Sequence, residues 1–173
     1  TVADFGFTDP DDSPANNFQN VVITSVPANG TLELSGVAVT NGQVVSVANI
    51  TAGNLVFVPA ANEFGTGADS FTFQVQDDDG TANGGEDTDQ SANVVTFDIT
   101  SVNDAPDGAD ITLTTLEDTT LTFTAADFGF SDVNDSPANA LQSIVFTTVP
   151  ATGSLQLSGV AVTAGQEIAV ADI

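Results

Sequence analysis

The chain has 173 residues, 24 acidic side chains and no Lys, Arg or His, giving a formal net charge of −24. With no cationic side chain it cannot clamp phosphate, bind nucleic acid directly or be drawn to an anionic membrane surface. Without His, Lys or Cys it has no imidazole, amine or thiol catalyst, no disulfide and no thiolate metal site.

Hydrophobic residues still make up 41% of the chain. They fall in short alternating runs, which predicts a folded all-β protein rather than a disordered acidic one. Residues 21–24 and 31–34 read as strands flanking Pro27-Ala28-Asn29-Gly30, a hairpin closed by a turn-forming Asn-Gly. Leu34-Ser35-Gly36-Val37 leads to another short run, and Asn41-Gly42 turns the chain into a strand at 44–47. The run 55–58 ends at Pro59. In 71–76, Phe71, Phe73 and Val75 alternate with Thr72, Gln74 and Gln76, the period-two pattern of a half-buried strand. Residues 94–100 follow as a strand, then 111–114 and 121–123. No stretch shows sustained helical periodicity. No run approaches the roughly 18 apolar residues of a membrane span, so no membrane insertion is expected.

An internal repeat organises these elements. Residues 1–50 align without a gap to 124–173, at an offset of 123, with 32 identities. The chain is thus one period plus the opening of the next, and close copies of this kind predict a longer tandem array. It also has no initiator Met and no signal peptide, and reads as a window cut from something longer. Asp104-Ala105-Pro106 pushes Ala105 into an extended conformation and marks the unit boundary. Residues 1–105 are then expected to form one repeat without its first strands, and 106–173 the opening part of the next. A β-sandwich of about seven to nine antiparallel strands per unit follows.

Most of the acids are Asp in turns, and three clusters stand out. Asp9, Asp11 and Asp12 in DPDDSPAN recur as Asp132, Asn134 and Asp135 in DVNDSPAN. Asp77, Asp78 and Asp79 follow the 71–76 strand, with Glu86, Asp87 and Asp89 further along the same loop. Asn103 and Asp104 sit at the junction. Closely spaced oxygen donors in tight turns suit a hard cation such as Ca²⁺, which takes six to eight oxygens. Asp and Asn are also ordinary turn residues that bond to nearby amides. Repetition at the same place in both copies favours a metal for the DSPAN cluster. Asp77 and Asp79 read equally as metal ligands or as a solvated loop. Asp87 and Asp89 read as solvated, and Asp98 and Asp172 as strand-flanking surface residues.

Ser-Val-Asn-Asp-Ala-Pro at 101–106 resembles the Asp-x-Asn-Asp-Asn/Ala-Pro linker of cadherins and bacterial cadherin-like repeats. Three further segments, in this order, are similar to the cadherin-like repeats of giant bacterial surface proteins. They are Pro27…Gly30-Thr-Leu…Gly36…Gly42-Gln, Asn54-Leu-Val-Phe-Val-Pro59 and Asp69-Ser-Phe-Thr-Phe-Gln-Val-Gln-Asp77. The resemblance spans essentially the whole chain and implies a Greek-key, cadherin/Ig-like antiparallel β-sandwich with Ca²⁺ at the linkers. It places Asp69 as the acid before the penultimate strand and Asn103 and Asp104 as linker ligands. Asp132 and Asn134 become the Asp-x-Asp pair, with Asn139 as a nearby carbonyl donor. Asp9, Asp11 and Asn16 would serve the preceding linker, and Glu117 the far-end one. Ser101 and Asn134 depart from the pattern, each removing a charge, which implies fewer ions or weaker binding.

The leading expectation is a non-enzymatic, extracellular, calcium-rigidified spacer in a large bacterial surface adhesin, partnered by neighbouring repeats. The alternative is a filament or matrix subunit in which a strand from one chain completes an identical chain. A glycosidase needs only two carboxylates, yet the chain has no Trp or Tyr to stack on sugar rings and no pair marked out by an apolar cleft.

Overall fold

The computed structural model describes residues 1–173, which divide into two compact units, Thr1–Ser101 and Val102–Ile173. The division falls just ahead of the Asp104-Ala105-Pro106 signal.

In unit 1 the alternating runs form seven strands: β1 (Phe18–Ser25), β2 (Thr31–Leu34), β3 (Val37–Ala38), β4 (Val44–Ser46), β5 (Leu55–Val58), β6 (Gly65–Asp77) and β7 (Asn93–Ile99). They make two antiparallel sheets, ordered β4-β1-β6-β7 and β3-β2-β5. Inward residues of both sheets meet in one core of Phe5, Val21, Ile23, Leu32, Val39, Val45, Ile50, Phe71 and Phe73. Across the layers Phe57 of β5 stacks on Phe97 of β7, with ring centroids 3.8 Å apart. This is the expected all-β antiparallel sandwich. No helix is long and apolar enough to cross a membrane.

Two local expectations need correction. Strands 21–24 and 31–34 are not partners in a hairpin: β1 pairs with β4 and β6, whereas β2 pairs with β3 and β5. The Pro27–Gly30 stretch is a corner between sheets, and its amides are held by a carboxylate instead of a ladder. Gly30 is there for space: a Cβ would lie 2.5 Å from Phe57 Cε2 and 2.8 Å from the Val58 carbonyl. The tight hairpin is instead β2–β3, where Ser35 (φ 52°) and Gly36 (φ 78°) take the left-handed pair a two-residue turn needs. Second, the expected strand at 44–47 stops at Ser46, where a five-residue helix, α1 (Val47–Thr51), begins. The Ser46 hydroxyl caps it by accepting from the Asn49 amide at 3.3 Å.

Unit 2 repeats part of this plan. Strand β8 (Ser143–Phe146) pairs with β11 (Gln166–Ala169), and β9 (Gln156–Leu157) with β10 (Val160–Ala161). Residues 111–114 and 121–123, expected as strands, form no ladder. A strand is stable only against a paired neighbour, and residues 102–173 hold no counterpart of β5, β6 or β7 to pair with them. For the same reason Phe123, Phe128, Phe146, Leu157 and Ile168 line an open apolar groove of about 320 Å³. By the 123-residue offset these positions, Phe123 apart, match Phe5, Ile23, Leu34 and Val45, which in unit 1 pack in or against one core that includes Phe71 and Phe73 of β6.

Candidate metal centre

The sequence DVNDSPAN folds back on itself in unit 2 through short side-chain bonds. Asn139 donates its backbone N–H to Asp132 Oδ2, and its side-chain amide to Asp135 Oδ2 at 2.9 Å and to Asn103 Oδ1 at 2.8 Å. The segment entering the unit crosses this loop. Asp107 and Ser131 exchange backbone hydrogen bonds of 2.8 and 2.9 Å, and the Asp104 N–H donates to Asp135 Oδ1 at 2.9 Å. That crossing buries two carboxylates: Asp132 is 6% exposed and Asp135 7%.

Asp132 Oδ1 is buried and accepts no hydrogen bond. An unsatisfied buried carboxylate oxygen is costly, by about 1–3 kcal/mol or more for a charged group. The usual remedy is an ion pair, but the sequence offers no Lys, Arg or His, and the terminal ammonium of Thr1 pairs with Asp4. Beside the loop lies a cavity of about 450 Å³ lined by Asn103, Asp104, Pro106, Phe130, Asp132 and Asn139. The donors around it are all oxygens or amides, a set that suits Ca²⁺ and not a softer metal. Nowhere do three or more acidic side chains converge closely enough to enclose an ion by themselves. An ion here would therefore draw on Asn103, backbone carbonyls and water as well as carboxylates.

Unit 1 builds the same loop without a crossing segment. Asp9 Oδ2 accepts from the Asn16 N–H at 2.5 Å, and Asp12 Oδ2 from the Asn16 side chain at 2.9 Å. Here Asp9 is half-buried, and Asp11 and Asp12 are exposed. In unit 2 the corresponding pair, Asp132 and Asp135, lies beneath the segment that bonds to Ser131 and Asp135.

Asp69 is buried in β6 at 5% exposure. Its Oδ1 accepts from Ala28 N–H at 2.9 Å and Ser70 N–H at 2.8 Å, and its Oδ2 from Asn29 at 3.1 Å and Gly30 at 2.8 Å. Burial alone would push this carboxyl up. The four amides outweigh it and hold the group below the ordinary carboxylate range. Asp77 lies at the far end of the same strand, roughly 26 Å along an extended chain. Its Oδ1 accepts from the Asp79 amide at 2.9 Å, an Asx turn, while Asp78 grips both amides of Asn17 at 2.8 and 2.9 Å. Those bonds to the Asn17 side chain and backbone lower the Asp78 carboxyl. Asn134 is half-buried on the DVNDSPAN turn, and Glu117 is exposed.

Within unit 2 the cluster unites Asn103, Asp104, Asp132 and Asn139, while Glu117 is exposed elsewhere in the same unit. Asp135, which the repeated DSPAN cluster includes but to which the resemblance gave no role, joins them by accepting from the Asp104 and Asn139 amides. Its signal was present, since Asp-Ser-Pro-Ala-Asn recurs intact in both copies.

No curated protein and no solved structure matches the chain. A family of bacterial Ig domains matches residues 1–88, and residues 124–173 repeat the first 50 of these. Domains of this kind are common in bacterial surface proteins and are typically structural modules. The two-sheet sandwich, its internal copy and this match agree, and the chain belongs to the bacterial Ig-domain family.

Proposed function

We propose that the chain is a calcium-binding spacer: Ig-like units of an extracellular surface protein, with Ca²⁺ fixing the segment that enters each unit onto that unit's acidic loop. The observation that carries this reading is the buried, unpartnered Asp132 Oδ1 in a chain with no cationic side chain. Asp104, Asp132 and Asp135, with Asn103 and Asn139, would hold the ion, which supplies the positive charge the sequence lacks. Asn139 orients Asp132 and Asp135, and Asp135 anchors the Asp104 amide. The module carries out no reaction of its own, and its work is mechanical.

Binding to the folded form alone stabilises it by mass action. With a dissociation constant of about 10⁻⁴–10⁻³ M, usual for extracellular modules, millimolar Ca²⁺ contributes about 1–2 kcal/mol. Isothermal titration with CaCl₂ tests the reading directly. Binding in this range, abolished in Asp132→Asn, is expected. Absence of heat and of any displacement of loop 131–139 resonances on adding Ca²⁺ would sink it.

A further inference from the structure

Asparagine followed by glycine occurs three times, at 29–30, 41–42 and 83–84, all within unit 1. The pair carries a latent chemistry, because glycine has no side chain to keep its backbone nitrogen from the carboxamide carbon before it. The fold treats the three pairs differently. At the first, the Gly30 N–H donates to the buried Asp69 Oδ2 at 2.8 Å, and the Asn29 side-chain amide to Glu63 Oε1 at 3.3 Å. Gly30 is also packed so closely that a Cβ would lie 2.5 Å from Phe57 Cε2. At the second, the Gly42 N–H donates to the Ile23 carbonyl at 2.7 Å, which ties the turn to β1. Gln43 Oε1 braces the same turn by accepting from the Thr40 N–H at 3.1 Å. The third pair sits in the loop between β6 and β7. Asn83 is exposed there, in a left-handed conformation (φ 57°, ψ 22°). The Gly85 N–H closes the turn around it by donating to the Ala82 carbonyl at 3.1 Å, which leaves the Asn83-Gly84 peptide at the tip. A Cβ on Gly84 would meet nothing within 4 Å.

We propose that Asn83 is a self-modifying site: in the folded protein it converts to aspartate and isoaspartate with water as the only co-reactant, while Asn29 and Asn41 keep their amides. The Gly84 nitrogen loses its proton to solvent base and bonds to Asn83 Cγ. The Cγ–Nδ2 bond breaks, and ammonia leaves with a proton taken from solvent. Water then opens the five-membered imide at one of its two carbonyl carbons. Attack at Cγ restores the ordinary backbone with an aspartate side chain. Attack at the backbone carbonyl carbon routes the chain through the former side chain, one methylene longer, and frees an α-carboxylate. Either product adds a carboxylate to a loop that already holds Asp77, Asp78, Asp79, Glu86, Asp87 and Asp89. Ring closure requires the Asn83 Cα–C bond to turn and the Gly84 nitrogen to swing inward, motions that an exposed loop tip allows. At Asn29 and Asn41 the same step must first break the glycine's bond to Asp69 or to the Ile23 carbonyl. Such held segments open far less often than loop tips.

Peptide mapping by mass spectrometry tests this on the whole chain, incubated in mildly alkaline buffer at 37 °C, folded and in concentrated urea. In the folded chain Asn83 should lose its amide at least about tenfold faster than Asn29 or Asn41. In urea, where no structure distinguishes the pairs, the three rates should converge. Asn83→Gln should remove the more acidic species that accumulates first on anion exchange. Equal rates at the three pairs in the folded chain overturn the proposal, as does an Asn83 that keeps its amide while the others lose theirs. A preference for Asn83 that persists unchanged in urea also overturns it, since neighbouring sequence and not the fold would then select the site.

Discussion

Asp69 shows how much one carboxylate can organise when no cation competes for it. Its two oxygens gather four backbone N–H groups, three of them from the Ala28–Gly30 corner. Asp69→Ala strands those donors beneath the sheet, and we expect a loss of about 2–4 kcal/mol in a urea melt of unit 1. A folded-state pKa held below the reference 3.8 means that this stability is present above that value and lost as pH falls through the folded one. Asp69→Asn should therefore melt lower at neutral pH and lose less than the parent chain between pH 5 and pH 2. Asp132 is the contrasting case: buried equally well, it leaves one oxygen without a donor. In Asp69 the backbone supplies what a cation would, whereas at Asp132 the backbone falls short.

At the scale of elements, the corner between β1 and β2 depends on close approach. Gly30→Ala sets a methyl group against the Phe57 ring and the Val58 carbonyl, the second of which is backbone and cannot swing away. A cost of about 1–3 kcal/mol is expected, measurable by chemical denaturation. Gly6→Ala, with open space but φ of 60°, should cost only the smaller backbone penalty, about 1 kcal/mol. The difference separates crowding from backbone strain.

This corner also marks what the sequence could and could not reveal. Alternation located β1, β5, β6 and β7 because period two is a local property. Assigning β1 and β2 to different sheets was out of reach, since the residue that holds the corner lies 39 to 41 positions away. Helix α1 is too short for 3.6-residue periodicity to register. In the candidate metal centre, repetition pointed to the loop that holds Asp132, Asn134, Asp135 and Asn139. The partnership of Asp104 with Asp135 arises only when the 103–107 segment crosses the loop, and no spacing rule encodes that crossing.

For the molecule as a whole, a charge of −24 without a single basic side chain makes cations part of its stability. Like charges in Asp-rich loops repel, and salt screens them, with a Debye length of roughly 10 Å at 0.1 M. The melting temperature is expected to rise as NaCl is raised from about 10 mM to 0.5 M, without any specific site being involved. Specific calcium binding must appear above that background. It must also depend on the one loop where carboxylates are buried and a cavity adjoins them.

The decisive measurement is accordingly thermal unfolding at fixed ionic strength, with millimolar Ca²⁺ against EDTA, for the parent chain and for Asp132→Asn. Calcium held at Asp132 should raise the melting temperature of the parent chain by roughly 3–8 °C and that of the variant little or not at all. Equal melting temperatures in Ca²⁺ and EDTA, or an equal rise in both proteins, would contradict it.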